Sequence, residues 1–448
     1  MAHRLPAWLV LGLLTACMGV AEDPMRPELP AGVSDADGPG LADAGPSELE
    51  DAGQSVPDAG STTPDSGTDA GPVSVDAGID AGPLVPDAGD RIPIFVAQGM
   101  VGRTTISCDD GRTWVADRSW DREGDSLICG STTPIECDVS GKSCGRRWYD
   151  GSCSMSSPCD CGHSPGFSKG VAFDGTTFVG TWGWGFPGSV RRSRNGVDWT
   201  RSIEGHAGFG GIAYGAGVFV TGDRSPKVSR DGERWDAGGP ANFSGPNEPI
   251  IWSVRRFAFA PYGATGRFVA VASGNRDRDI LISSDRGQTW WRPHTLPADC
   301  GGDVGAYGDI VGGNGVIVMA GSNRTICRST DGGETWTRTT IASEIYSSGL
   351  WTGSQFWFWS RTARWSSPDG LTWTSTPLTP AVSLGPVARS PDGTLVAVAN
   401  VWEGYRTQRF LRSTDGVSWQ ILPTTAFNGS HPIFFITWGL AERSSLCP

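Results

Sequence analysis

Ser329-Thr330-Asp331-Gly332-Gly333-Glu334-Thr335-Trp336 is the cleanest copy of a stretch that the chain repeats seven times. Ser283–Trp290, Ser107–Trp114 and Ser366–Trp373 read as copies of the same length. Ser193–Trp199, Ser229–Trp235 and Ser413–Trp419 read as copies one residue shorter. From Trp to Trp the spacing is 85, 36, 55, 46, 37 and 46 residues. Periods of roughly 40–50 residues belong to propellers and solenoids, whose units each bury their apolar face against a neighbour. The chemistry of the stretch is that of a turn. Asp109, Asn195, Asp231, Asp285, Asp331, Asp369 and Asp415 can accept hydrogen bonds from backbone N–H groups just downstream. Gly supplies a positive φ, and the Ser hydroxyl gives a second local acceptor. The closing Trp114, Trp199, Trp235, Trp290, Trp336, Trp373 and Trp419 are expected to pack back into the sheet that the turn joins.

Between these turns a second theme recurs. Gly211-Ile-Ala-Tyr-Gly is followed by Val218-Phe-Val-Thr-Gly, and Asp309-Ile-Val-Gly-Gly by Val316-Ile-Val-Met-Ala. Each pair is a short apolar strand, a tight turn and a second β-rich strand. A third strand enters the repeat turn and a fourth leaves it, which makes a four-stranded propeller blade. No long segment has helical periodicity, so the expected class is all-β: a single seven-bladed propeller of antiparallel blades, with six blades as the alternative. Ile94–Ala97 leads at once into the first turn and can only be a second strand. The C-terminal stretch 432–439 has no turn after it and is expected to supply the missing strand, so that both termini close the ring and remove exposed edges.

The repeated stretch resembles the Asp-box (BNR) hairpin of sialidases, sortilin-type receptors and photosystem II assembly-factor-like proteins. That resemblance implies a propeller whose Asp-boxes are structural and lie away from the ligand face, because function resides in sites grafted on folds. Sialidases add an Arg triad, a Tyr–Glu pair, an Asp acid/base and an Arg-Ile-Pro tripeptide. The chain carries Arg91-Ile92-Pro93, but only 13 residues separate Pro93 from Ser107, closer than in that family. A sialidase-like exo-glycoside hydrolase is the runner-up to a non-catalytic binding protein, and no catalytic residue is carried over.

The N-terminus reads as export machinery. Arg4, the apolar run Leu5–Leu14 and Leu14-Thr15-Ala16-Cys17 resemble a bacterial lipobox, with residues 1–16 as signal peptide and Cys17 as the lipidated residue. The run is too short to span a membrane, so acyl chains on Cys17 would be the attachment. Residues 17–90 repeat Asp-Ala-Gly, hold no aromatic residue, and from 18 to 90 carry 16 Asp/Glu against one Arg. Such a segment cannot bury enough apolar surface to order itself and reads as a self-repelling tether. The chain's net charge of −12 is that of the tether, and the propeller, residues 91–448, is near neutral. The expected location is the bacterial cell envelope, at the outer membrane or cell surface, as a monomer.

Leaving Cys17 aside, ten cysteines remain, and an exported chain favours disulfides. Six lie in an insertion over residues 119–166, for which a zinc site is the alternative reading. Cys300 and Cys327 form a candidate pair. Cys447 is expected to pair with Cys108 or one of those six, stapling the C-terminus near blade 1. The long insertions, at 119–166, 236–254 and 292–308, all fall on the side opposite the repeat turns, where extra length marks a binding face. The loops between second and third strands on that side supply Arg103, Trp182, Trp184, Arg224, Arg278, Arg324, Arg361, Arg364, Trp402, Tyr405 and Arg406. Arg forks bind carboxylates and aromatic faces stack on sugars or other flat groups. These residues are therefore the candidate ligand face for a protein or glycan ligand of anionic character. A near-neutral exported domain disfavours nucleic acid. The sequence offers no phosphate-cradling loop or metal motif, so neither cofactor nor metal is expected.

Overall fold

Seven sheets alternate with seven apolar layers around one axis. The structure is a computed structural model and describes residues 91–99, 102–118, 138–139, 142–143, 167–183, 188–205, 209–222, 225–238, 251–274, 279–300, 308–321, 323–345, 347–399, 408–428 and 431–447. Within these residues every regular element is a strand. Blade 2 shows the pattern: Phe167–Phe173, Phe178–Gly183, Gly188–Ser193 and Thr200–Gly205 pair in that order, all antiparallel. Blades 3, 5, 6 and 7 repeat it, beginning at Ile212, Asp309, Leu350 and Leu384. Blade 4 pairs Ile251–Ala260, Arg267–Gly274 and Asp279–Ser283, and its fourth place is held by the single bridge Ile282–Trp291.

Blade 1 is built from both termini. Arg91–Gly99 pairs on one side with Thr104–Ser107 and on the other with the C-terminal strand His431–Glu442. Ile94–Ala97 is thus in a second strand, and the last strand of the chain takes the first place in the first blade. Cys447, just beyond it, is bonded to Cys108 in the first repeat turn, with 5.7 Å between Cα atoms. Cys300 and Cys327 form a second disulfide, also with a Cα separation of 5.7 Å.

The core lies between blades. Each of seven buried clusters joins two successive blades, and the cluster of Phe95, Ala97, Val396, Val398 and Phe410 joins blade 7 to blade 1, so the ring is closed. Strand sequences alternate little because both faces of every sheet are covered, as in Val316–Ala320, which is buried throughout. The seven Trp residues of the repeat do not pack into their own sheet alone, as the sequence suggested. Each sits in the layer between its blade and the preceding one: Trp199 with Ile94 and Val96, Trp290 with Val220 and Phe268, Trp373 with Val318 and Phe358. A Trp at the end of a turn that leans onto the neighbouring blade reaches that layer and gains more buried area there.

Candidate functional site

The two ends of the ring have different chemistry. At one end stand the seven repeat turns, each wired in the same way. The Gly N–H donates to the Ser hydroxyl at 2.8–2.9 Å. That hydroxyl donates to the Asp or Asn oxygen at 2.8–3.1 Å. The same oxygen accepts backbone N–H groups further on, as Asp415 Oδ1 does from Val417 and Ser418 at 2.8 and 2.7 Å. Six of the Trp indoles donate to the Gly carbonyl. Trp114 instead lies parallel on Phe410, with centroids 3.8 Å apart. The turn in blade 6 corrects the sequence reading. Ser367, not Ser366, caps Gly370 and Asp369, so this turn is the shorter form. The three longer turns insert one extra positive-φ residue, Asp110, Arg286 or Gly332, ahead of the positive-φ Gly.

These turns are also clamped from outside. Arg328 Nε donates to the Asp369 carbonyl at 2.6 Å, and Arg412 Nε to the Asp110 carbonyl at 2.9 Å while its Nη2 pairs with the Asp110 carboxylate. Arg192 pairs with Glu233 at 2.8 Å. In each case an Arg from the third strand of one blade holds the turn of the next. Burial raises the Asp415 carboxyl, but hydrogen bonds from Val417, Ser418 and Ser413 outweigh it and bring its pKa to about 2. The carboxyls of Asp109, Asp231, Asp285, Asp331 and Asp369 are lowered by equivalent bonds. Groups so fully engaged are structural.

Five of the eleven candidate ligand-face residues are among the described residues, and those five do not converge. Arg103 is buried, forked onto Asp117 at 2.8 and 2.9 Å and bonded to the Ala426 carbonyl at 2.7 Å, so it ties blade 1 to the end of blade 7 and presents nothing to a ligand. Trp182 is fully buried, because the second strand of blade 2 runs on to Gly183 and places it in the sheet, edge-on to Trp199 at 5.8 Å. Arg364 bonds the Asp415 carbonyl and stacks over Trp357 at 4.2 Å, making it another clamp on a repeat turn. Arg324 occupies a positive-φ turn position and reaches Glu344 at 3.8 Å on the rim. Arg361 is exposed. Trp184, Arg224, Arg278, Trp402, Tyr405 and Arg406 lie outside the described residues, as do Cys17 and the six cysteines of the 119–166 insertion.

At the end opposite the turns, the structure assembles a cluster that the sequence did not single out. Arg256 of blade 4 pairs with Asp309 of blade 5, at 2.8 Å from Nε and 2.6 Å from Nη2. Asp309 also accepts the Ile310 N–H at 2.8 Å and the Gly349 N–H of blade 6 at 3.0 Å. The Arg256 guanidinium lies 5.6 Å from the centroid of Phe435 in blade 1. Blades 1 and 4 are not neighbours, so this contact crosses the central channel. Lys169 of blade 2 feels the charge of Arg255 of blade 4. Burial first, and the Arg255 charge second, push the Lys169 amine down to about 7.

The means of delivery is shared. The register shifts between Ser168 and Gly170, between Val254 and Arg256, and where Gly99 meets Ile433. The extra residues are Lys169, Arg255 and Phe434. A β-bulge leaves one residue unpaired and re-aims side chains, and all three bulges lie in the first strands of their blades or their junction with the second. The signal for this in the sequence was slight: charges inside otherwise apolar first strands, as in Val254-Arg255-Arg256-Phe257.

No family model matches the chain, and no curated protein matches it significantly. Among solved structures it is similar to YCF48 bound to a D1 peptide, at 15% identity over 57% of this chain and 81% of that one, with a TM-score of 0.41. It is similar to YCF48 from Cyanidioschyzon merolae at 14% identity, over 57% and 84% of the two chains, with a TM-score of 0.40. A computationally designed protein, Ika8, gives 12% identity over 76% and 86%, with a TM-score of 0.40. The fold rests on the register and closure described above and not on these likenesses. Fold and site together define a closed seven-bladed β-propeller with one clamped face and one charged channel mouth.

Proposed function

We propose that the chain is a non-catalytic binding protein of the bacterial cell envelope: an Asp-box propeller, lipid-anchored through Cys17 and carried on an acidic tether, that takes a protein partner at its channel mouth. The observation that carries this reading is the Arg256–Asp309 pair of blades 4 and 5 lying against Phe435 of blade 1 across the axis, at the end away from the clamped turns. Cationic forks beside an aromatic ring on a rigid scaffold are the usual anchors of a recognition surface. Asp309, the carboxylate these contacts bring in, accepts two Arg256 bonds and two backbone N–H groups. A carboxylate held that way is positioned to orient Arg256, not to move protons.

The purified chain, probed on peptide and glycan arrays beside Arg255→Glu, tests the reading. Binding that the substitution abolishes supports it. Binding that survives puts the ligand elsewhere and refutes the mouth as the surface. Sialoside hydrolysis lost on a single carboxylate substitution would establish the glycosidase instead. Release of the protein from membranes by Cys17→Ala checks the anchor.

A further inference from the structure

We infer that the mouth end of the ring is locked by a circuit of hydrogen bonds crossing all seven blade interfaces, with Asp309 as its node, and that the inner strands open together when the circuit is cut. Ser168 Oγ of blade 2 donates to Gln98 Oε1 of blade 1 at 3.3 Å. Thr181 Oγ1 of blade 2 donates to the Gly210 carbonyl, on the entry to blade 3, at 2.8 Å. The Gly211 N–H donates to the Arg255 carbonyl of blade 4 at 3.3 Å. Arg256 of blade 4 pairs with Asp309 of blade 5, and Asp309 Oδ2 accepts the Gly349 N–H, on the entry to blade 6, at 3.0 Å. The Ser348 N–H donates to the Gly385 carbonyl of blade 7 at 3.2 Å. Gln408 of blade 7 closes the circle: Oε1 accepts the Ile433 N–H of blade 1 at 3.0 Å, and Nε2 donates to the Ile433 carbonyl at 3.3 Å.

All the links lie on one side of the ring. Ser168, Asp309, Gly385 and Ile433 stand near the starts of inner strands, Gly211 and Gly349 just ahead of them, and Gln98 and Thr181 toward the ends of second strands. Those strand ends point away from the repeat turns, which follow third strands. Within each blade the paired strands join the link on one flank to the link on the other.

Two devices in the sequence build the circuit. Glycine removes the side chain where backbones meet: a Cβ on Gly210 would lie 1.8 Å from the Val254 carbonyl oxygen, and one on Gly211 3.0 Å from the Phe257 nitrogen. Elsewhere the linking side chains are themselves buried, as Gln98, Ser168, Thr181 and Gln408 are. A link broken in such surroundings leaves a buried donor or acceptor unpaired, which costs more than a link at the surface. Among the linking side chains Asp309 alone bonds to both neighbouring blades, Oδ1 to Arg256 and Oδ2 to Gly349. In a closed circle no interface can widen unless another gives way. One cut turns the circle into an open row of links, whose ends are free to part. The lock needs no ligand, so it stands apart from the reading of the mouth as a binding surface.

The test is hydrogen exchange of the full chain in mild denaturant, read at single amides. The reporters are the circuit's own donors, Gly211, Ser348, Gly349 and Ile433. The controls are the Gly196 and Gly416 amides, which are bonded within repeat turns. In the parent the reporters should share one protection, as the amides of a unit that opens together do. Thr181→Val cuts the circuit between blades 2 and 3 and keeps the size of the side chain. It should speed every reporter about tenfold, Ser348 and Gly349 of the distant blade 6 included, and leave the controls unchanged. Asp309→Asn leaves one acceptor oxygen for two sets of donors and should act in the same way. Separate, independent sites have additive effects. A circuit already open loses little from a second cut, so the double variant should fall well short of the product of the two accelerations. Acceleration confined to the blades beside each substitution overturns the circuit. Equal acceleration at Gly196 and Gly416 overturns it too, because the whole ring would then be opening. A double variant that reaches the full product shows independent links and overturns the closed circle. Where Asp309→Asn does not fold, the distant reporters in Thr181→Val decide the matter alone.

Discussion

Replacing Gly196 with Ala separates two reasons for glycine at the repeat turn. Gly196 sits at φ +75°, and a Cβ there would lie 2.9 Å from Ile94 Cδ1, 2.9 Å from Val96 Cγ2 and 3.1 Å from Ile106 Cγ2, all in blade 1. Its N–H bond to Ser193 and its carbonyl bond from Trp199 are backbone bonds that Ala keeps. Gly217 provides the control, at φ +79° in the turn between the first two strands of blade 3, with nothing within 4 Å of the added carbon. An L-residue at such a φ costs about 1–2 kcal/mol, and both variants should lose that. Forcing a methyl into a packed layer costs about 1–3 kcal/mol more, and Gly196→Ala alone should lose it, for a total of about 2–5 kcal/mol. Neighbours on stiff strands in a closed ring have little room to relax. The assay is chemical denaturation of the two variants and the parent, compared at equal slope. Equal losses for Gly196→Ala and Gly217→Ala would refute the claim that the repeat turns press on the preceding blade.

The two disulfides should differ in weight. They span 339 and 27 residues, for which chain entropy gives about 6 and 3.5 kcal/mol as upper values. Cys108→Ser with Cys447→Ser should therefore lower the denaturation midpoint more than Cys300→Ser with Cys327→Ser. Arg412→Met removes the bonds to the Asp110 carbonyl and carboxylate and should cost about 1.5–3 kcal/mol. Arg112→Met, whose exposed ion pair with Asp110 is 4.0 Å long, should change stability by less than about 1 kcal/mol. Acid titration followed by tryptophan fluorescence checks the turn carboxylates. Their folded pKa values lie below the unfolded ones, so their contribution is complete above about pH 4 and is lost as pH falls toward the Asp415 value of about 2. Asp415→Asn should make that decline shallower, because Asn195 holds the same position in blade 2 with the same backbone bonds.

The seven turns were legible because their chemistry is local. Ser, Asp and Gly make their bonds within five residues of one another, and the spacing then counts the blades. The misread register at blade 6 arose where Ser366-Ser367 offered two hydroxyls, and only the Gly370 amide distinguishes them. The place of each Trp was half legible. Sequence shows that it must be buried, but the neighbour it leans on is a blade away in the chain. What the described arginines do was not legible, for a related reason. Arg103, Arg328 and Arg364 look alike in sequence as charges near strand ends. What separates a clamp from a contact residue is the carbonyl or carboxylate of another blade, up to 323 residues distant. The register shifts at Lys169 and Arg255 were hidden more deeply, marked in the sequence only by charges inside otherwise apolar strands.

The division of labour between Arg and Lys follows from the geometry of the turns. Residues 91–448 contain three Lys against 31 Arg. The described clamps on the repeat turns are Arg: Arg412 gives two donors to Asp110, Arg364 one donor to the Asp415 carbonyl and its plane to Trp357, and Arg328 one donor to the Asp369 carbonyl. A flexible ammonium could not hold that geometry, whereas a guanidinium can, and it stays charged at any physiological pH. Lys169 stands apart from this pattern: burial first, and the Arg255 charge second, hold its amine well below the usual lysine range. The turn face has its Ser, Asp, Gly and Trp already bonded to one another, so its polar groups are accounted for by the fold alone.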